Sequence, residues 1–357
     1  MNLLRYLSEQ NKGGTEIHVV STKPVTDQLF AVPGVTIHRA GVWLYKMPVL
    51  KRFGLYVTFN LTSLWLLCRH RPGKVFYFET MSAWAACLYK KYINRTAALF
   101  IHFHEYTSPE EYRTGTILNR WLHWIEMKIF KLAKWVSHTN QDRKNLFIND
   151  TGSKAPLHVE VLENFPPRSW IRQNEVRERE HTGIVRFVYV GALSLDTLFV
   201  KEWALFVRKF PGKYSWDIYS ANCSPGVLEW IEQLHAPNIF FKGAVHYDAM
   251  PEILSKYAVG LVLYKGHIPN YIYNAPNKLF EYHACGLDTW FPDNMVGCIP
   301  YATVNTYPKI TAMNFNRLDV ASVEQALNRS GALYQPSSYY YEKRLPALTQ
   351  LLLHDAT

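Results

Sequence analysis

The sequence predicts an α/β protein made of two successive doubly wound, Rossmann-like domains with parallel sheets. Short apolar, β-branched and aromatic runs alternate with longer segments of helical period along the whole chain, which is the pattern of βαβ units. Its 357 residues exceed what one hydrophobic core ordinarily organises. A charged stretch without apolar period, RSWIRQNEVREREHTG at 168–183, interrupts the alternation and reads as a linker. The domains are therefore expected at 1–168 and 184–337, with a linker at 169–183 and a C-terminal helix within 338–357 that crosses back to the first domain.

The opening segment MNLLRYLSEQ interleaves apolar with polar residues and reads as an amphipathic helix rather than a secretory signal. In the first half, strands are expected at 16–21, 74–78, 98–102, 135–138 and 158–162, with helices near 53–69, 82–92, 117–133 and 141–149. The second half repeats the alternation. It has strands at 185–190, 214–219, 239–242 and 258–263, a turn at 191–196, and helices at 200–210, 227–234 and 249–256. The run at 258–263 is apolar almost throughout, as befits a strand covered on both faces. A helix at 276–285 stops at Gly286, a residue suited to a left-handed cap, and helices near 319–330 and 338–354 complete the chain. Two doubly wound domains in series place a ligand crevice at the carboxyl ends of their strands, between the domains.

Charge is distributed unevenly. Up to residue 182 there are 25 Lys and Arg against 15 Asp and Glu; from 183 onward there are 14 of each. The basic clusters at 46–52, 69–74 and 128–134 suit an anionic membrane surface, a polyanionic or lipid-linked acceptor, or plain solvation. No nucleic-acid-binding motif accompanies them. The five cysteines are odd in number, widely spaced and never C-x-x-C, which argues against a disulfide scaffold or a structural zinc site and for a reducing, cytoplasmic compartment. The most apolar window, 53–68, is interrupted by Thr58, Asn60, Thr62 and Ser63 and falls short of a bilayer span, so any membrane association would be peripheral.

The segment NYIYNAPNKLFEYHACGLDTWFP at 270–292 carries the densest chemistry. Pro276 and Asn277 suit a helix start, whose exposed N–H groups and positive dipole end favour an anion. Lys278 adds a full charge in the same turn. Glu281, one turn on, offers acceptors to a ribose diol. The same four residues also make an ordinary helix cap with a surface Lys–Glu pair. Earlier in the chain, IHFHEY at 101–106 ends an apolar strand in which alternation puts His102 and His104 on one face, and a histidine there can exchange a proton with a hydroxyl. Glu105 would orient His104 or cap the next segment.

The stretch NKLFEYHACGLD resembles the donor-site segment of retaining glycosyltransferases of the GT-B fold, in particular family 4, whose members carry patterns such as N-K-L-x-E-Y-x-A-x-G-x-P. FVYVGAL at 187–193 resembles the first strand and glycine loop of their donor domain. IHFHEY, together with residues 138–140 and the VLEN at 161–164, resembles acceptor-domain stretches. The resemblance implies a GT-B architecture, two Rossmann-like domains facing an interdomain cleft. It implies transfer of a sugar, of hexosyl type, from a nucleotide diphosphate sugar to a hydroxyl of a glycan or lipid-linked acceptor in polysaccharide or glycan assembly, with retention. His104, with Glu105, would be catalytic; His102 and Asn164 would lie on the acceptor side. Gly191, Lys265, Tyr273, Asn277, Lys278 and Glu281 would bind the donor, Glu281 through the ribose.

Three departures qualify the match. Tyr273 stands where the family's E-x7-E pattern has its first glutamate, Ala192 follows Gly191 where an arginine is common, and no basic residue lies within 219–225. Lys278, with Lys265 or Lys201, would then hold the diphosphate. No D-x-D triplet occurs, so a transfer independent of metal and cofactor is expected. Acceptor domains of this kind open with a strand and a glycine loop, whereas this sequence opens on a helix. The alternative is a catalytically degenerate GT-B protein that binds nucleotide or a membrane surface; an epimerase of the same fold is a lesser rival.

Overall fold

A computed structural model describes residues 2–22, 32–41, 48–174 and 183–354. Lys46 and most of the expected linker, 175–182, lie outside the described residues. The chain forms two compact units, Met1–Glu163 with Glu342–Thr357, and Asn164–Tyr341.

In the first unit α1 (Asn2–Gln10) leads to β1 (Ile17–Ser21) and β2 (Val35–Arg39), a parallel pair. There follow α2 (Val49–His70), β3 (Lys74–Phe78), α3 (Ala83–Leu88), β4 (Ala98–Phe103), α4 (Pro109–Thr114), α5 (Ile117–Met127), β5 (Ala133–His138), α6 (Gln141–Thr151) and β6 (Val159–Val161). The strands β3, β4, β5 and β6 form a second parallel sheet in that order. Leu99, Phe100 and Ile101 of β4 are fully buried, and Phe103, Phe130, Val136 and Phe147 pack into the same core. Neither β2 nor α4 is among the elements that the sequence predicts. Two glycine and proline signals flank the first; the second is a six-residue helix recognisable by its capping box, in which Ser108 and Glu111 exchange hydrogen bonds.

The second unit contains β7 (Val185–Val190), α7 (Val200–Val207), β8 (Tyr214–Tyr219), α8 (Val227–Gln233), β9 (Ile239–Gly243), α9 (Met250–Leu254), β10 (Val259–Leu261), α10 (Pro269–Ile272), α11 (Asn277–Ala284), β11 (Asp288–Pro292), β12 (Thr306–Tyr307), β13 (Ile310–Met313), α12 (Val320–Leu327) and β14 (Leu333–Tyr334). Its parallel six-stranded sheet runs β13-β11-β10-β7-β8-β9. Strand order reverses between β7 and β10, which defines the topological switch point. Aromatic residues fill the core: the ring of Phe187 lies 4.8 Å from Trp203, 5.3 Å from Trp290 and 5.8 Å from Tyr214 between centroids.

Two boundaries differ from the sequence reading. The second unit begins at Asn164, because Phe165 packs on Phe280 and Tyr339. Residues 169–174, expected as linker, include the buried Trp170, and the Arg172 N–H donates to the Ala284 carbonyl at 3.0 Å. Their charge masked their packing. The last helix, α13 (Pro346–Leu353), belongs to the first unit, where the Lys74 ammonium donates to the His354 carbonyl at 2.8 Å.

Candidate functional site

In the second unit the candidate site gathers over the switch point. Tyr189 ends β7, Tyr264 follows β10, and α11 follows the loop after Tyr264. From the first turn of α11, the buried Lys278 ammonium reaches back to β7. It donates to the Tyr189 hydroxyl at 3.4 Å and faces the rings of Tyr189 and Tyr264 at 4.6 and 5.0 Å. Burial opposes its charge, while the oxygens and ring faces of Tyr189 and Tyr264 favour it, and the balance holds the ammonium protonated. Among the described residues it has no carboxylate within ion-pair distance. Besides these oxygens and π-faces, the carboxyl of Glu281 acts on it through space.

Gly191 makes room for it. A Cβ there would stand 2.7 Å from the Lys278 nitrogen, and its φ of +144° lies where side chains are strained. No side chain caps the first turn of α11, whose N-cap is Pro276. Asn277 is exposed and opens the helix without capping it, a correction to its expected capping part; the Leu279 N–H donates to the Pro276 carbonyl at 2.9 Å. Gly286 takes the left-handed cap, with φ +77°.

Glu281 is buried one turn further on, hydrogen-bonded by the Tyr247 hydroxyl. Burial pushes its carboxyl up to about 7, against the downward pull of Lys278 and of that hydrogen bond. Tyr282 fixes the helix in place. Its hydroxyl accepts from the Val190 N–H at 2.8 Å, and its ring lies so close over Gly260 of β10 that no side chain fits there.

Lys265 and Tyr273 are placed differently. The Lys265 ammonium pairs with Glu202 at 3.4 Å and donates to the Leu195 carbonyl at 3.2 Å, so its charge is largely matched within the protein. Tyr273 caps the end of α10, where its backbone carbonyl would stand 2.5 Å from any Cβ at Gly297. Asn164, expected on the acceptor side, is the first residue of the second unit.

In the first unit, the predicted histidines lie at the carboxyl end of β4. His102 is buried and shares a hydrogen bond with Ser137 Oγ at 2.9 Å. Burial, then the neighbouring His104 and His138, press its pKa well down and keep it neutral. His104 is exposed, edge to face with His102 at 4.5 Å and stacked on Phe78 at 5.6 Å.

Its backbone is clamped from both sides. Glu79 Oε1 accepts from the His104 N–H at 2.5 Å and the Glu105 N–H at 3.3 Å, and the buried Arg143 donates to the His104 carbonyl at 2.5 Å. Glu79 takes the orienting part expected of Glu105, which is exposed, and the next helix is capped by Ser108. Reading the sequence missed Glu79 and Arg143. A signal existed for Glu79, which ends β3 beside the carboxyl end of β4. It sits at φ +62°, rare for a non-glycine residue, and burial pushes its carboxyl up to about 7 although the two amides pull it down.

No family model and no curated protein matches the sequence. Solved structures match it across both units. A lipopolysaccharide outer core galactosyltransferase, WaaB, in apo form, is 12% identical with a TM-score of 0.60, covering 99% of this chain and 91% of that one. Sucrose-phosphate synthase from Thermosynechococcus elongatus is 14% identical with a TM-score of 0.66, over 93% and 84%. HepE from Anabaena, in complex with UDP and glucose, is 12% identical with a TM-score of 0.65, over 99% and 96%. The chain thus has the GT-B fold, two Rossmann-like units in series.

Proposed function

We propose that the protein is a glycosyltransferase that moves a sugar from a nucleotide diphosphate donor to a hydroxyl acceptor. The observation that carries this reading is Lys278, a buried ammonium with no carboxylate partner among the described residues, at a helix start over the switch point of a GT-B donor unit. A diphosphate set there meets the ammonium, the first two N–H groups of α11 and the close backbone of Gly191. One helical turn away, Glu281 takes the ribose hydroxyls. In the transfer the anomeric C–O bond breaks, its electron pair goes to the departing diphosphate oxygen, and the acceptor hydroxyl bonds to the anomeric carbon as its proton passes to that diphosphate oxygen. Lys278 and the helix dipole stabilise the charge that develops on the diphosphate, without a metal. His104 of the first unit, its backbone held by Glu79 and Arg143, is the residue proposed to act as the catalytic histidine. Retention, a hexosyl donor and a role in polysaccharide assembly extend the sequence resemblance and belong to the same proposal.

The acceptor is proposed to be a glycan or lipid-linked molecule reached at an anionic membrane surface. In the first unit, α3 packs between α2 and α5. Trp65 on α2 and Trp121 and Trp124 on α5 are exposed, with Arg69 against Trp65 and Lys128 over Trp124. Aromatic rings edged by cations suit an interfacial layer. No described helix is long and apolar enough to cross a membrane.

Tyr273 and the internally paired Lys265 favour a second reading, a degenerate protein that binds nucleotide without transfer. Thermal shift against UDP, GDP, ADP and CMP, followed by donor hydrolysis assays, separates the two. Stabilisation by one diphosphate, with slow hydrolysis of its sugar that Glu281→Ala abolishes, supports the enzyme. Stabilisation without hydrolysis of any donor supports the degenerate reading, and no stabilisation refutes both.

A further inference from the structure

Apart from the donor and acceptor residues, the first unit carries a cluster of imidazoles. His18 lies on β1 and His38 on β2. The parallel register pairs His18 with Thr36, so His38, two residues further along, points to the same face. The helix α2 packs on β1, and its last residue, His70, brings its ring to 4.2 Å from that of His18. Glu16 stands just before β1, its Oε2 3.5 Å from His18 Nε2. One donor atom each from Glu16, His18 and His70 falls within 4.8 Å of the others.

The hydrogen bonding of His18 gives this cluster a direction. His18 Nδ1 and His38 Nε2 are 3.0 Å apart and share one proton. With that proton on His18 Nδ1, Nε2 keeps its lone pair. The Nε2 atom is buried and has no hydrogen-bond partner among the described residues. A second imidazole and a carboxylate face the same point.

We propose that Glu16, His18 and His70 form a binding site for a divalent transition-metal ion of the zinc class, with His38 setting the tautomer of His18 from behind. Two imidazoles and a carboxylate are a borderline donor set that suits Zn²⁺, with a fourth position open to solvent. Donors at about 2.0–2.1 Å from a tetrahedral zinc stand about 3.4 Å from one another, close to the separation of His18 Nε2 and Glu16 Oε2. His70 and Glu16 are exposed, and their side chains can turn inward to close donor separations of up to 4.8 Å to that distance, a movement of about 1.4 Å at most, without disturbing the core. The hydrogen bond behind His18 is the outer-shell support such ligands ordinarily have. The bound ion would staple the start of β1 to the end of α2. None of these residues takes part in the proposed transfer, so the site stands or falls independently of it.

The test uses the full chain without a polyhistidine tag, stripped with chelator and titrated with ZnCl₂ against a chromophoric zinc indicator at pH 7.5. Co²⁺ is then added to a separate sample as a spectroscopic probe. The expected result is one high-affinity zinc per chain and a tetrahedral Co²⁺ visible spectrum. Affinity should fall at least tenfold in His70→Ala and in Glu16→Gln, and about tenfold in His38→Ala, with no change in the control His158→Gln. Glu16→Gln alters only an exposed side chain, so its loss of zinc binding cannot be put down to misfolding. Failure to bind zinc, or equal binding by the parent, His70→Ala and Glu16→Gln proteins, would overturn the proposal.

Discussion

Replacing Glu281 by Gln separates the stability of the second unit from the nucleotide binding proposed for it. In the folded protein burial raises this carboxyl from 4.5 to about 7. The folded state therefore holds the proton more tightly than the unfolded chain, and stability is lost as pH rises from the unfolded value through the folded one. At about 1.4 kcal/mol for each tenfold difference in proton affinity, ionising Glu281 above pH 8 costs the unliganded protein on the order of 3 kcal/mol. Gln cannot ionise, yet it still accepts from Tyr247. Glu281→Gln should thus be more stable than the parent by about 3 kcal/mol at pH 8.5 and by less than about 1 kcal/mol at pH 5, measured by urea unfolding. Binding moves the other way. In the proposed site ribose hydroxyls would donate to the ionised carboxylate, so nucleotide diphosphate should bind the parent more tightly as pH rises from 6 to 8, with proton release visible in calorimetry across buffers of different ionisation enthalpy. In Glu281→Gln the pH dependence should vanish and affinity fall about 10- to 100-fold, the range for a hydrogen bond to a charged group. A variant no more stable than the parent at pH 8.5, with unchanged affinity and pH profile, would refute the placement of this carboxylate.

Three further outcomes are expected. Gly191→Ala places a methyl group 2.7 Å from the Lys278 nitrogen at a φ of +144°, so it should weaken diphosphate binding at least tenfold in a calorimetric titration while the unit still folds. Glu79→Ala leaves the His104 and Glu105 amides without their acceptor; it should destabilise the first unit by about 1–3 kcal/mol and slow transfer without changing nucleotide affinity, which steady-state kinetics and calorimetry distinguish. Trp121→Ala with Trp124→Ala should abolish co-sedimentation with vesicles containing anionic lipid, and binding by the parent should weaken as salt is raised. Equal sedimentation by both proteins would count against a membrane-facing first unit.

The contrast between α11 and the His104 segment shows how far the sequence reaches. Helix start, cap and the i, i+3 spacing of Lys278 and Glu281 are local properties, fixed by Pro276, by Gly286 and by the helical period, so they are legible in NKLFEYHACGLD. The sheet strands were readable for the same reason, since apolar runs such as those of β4 and β10 must be buried on both faces. The charged segment at 169–174 misled because composition reports solvation of side chains, whereas Trp170 and the Arg172 backbone answer to the packing of the second unit.

The α/β alternation, the two-part division and the helix that presents Lys278 and Glu281 are written in local patterns, because periodicity and capping act over a few residues. Tertiary structure decided which groups meet. It turned Lys278 toward Tyr189 and Tyr264, tied Lys265 to Glu202, set Glu79 and Arg143 on the two sides of His104, and drew His18, His38 and His70 from three elements into one cluster. The physical reason is that parallel strands bring together residues distant in the chain at their carboxyl ends, and the protonation and partners of those residues depend on a burial that no local pattern encodes.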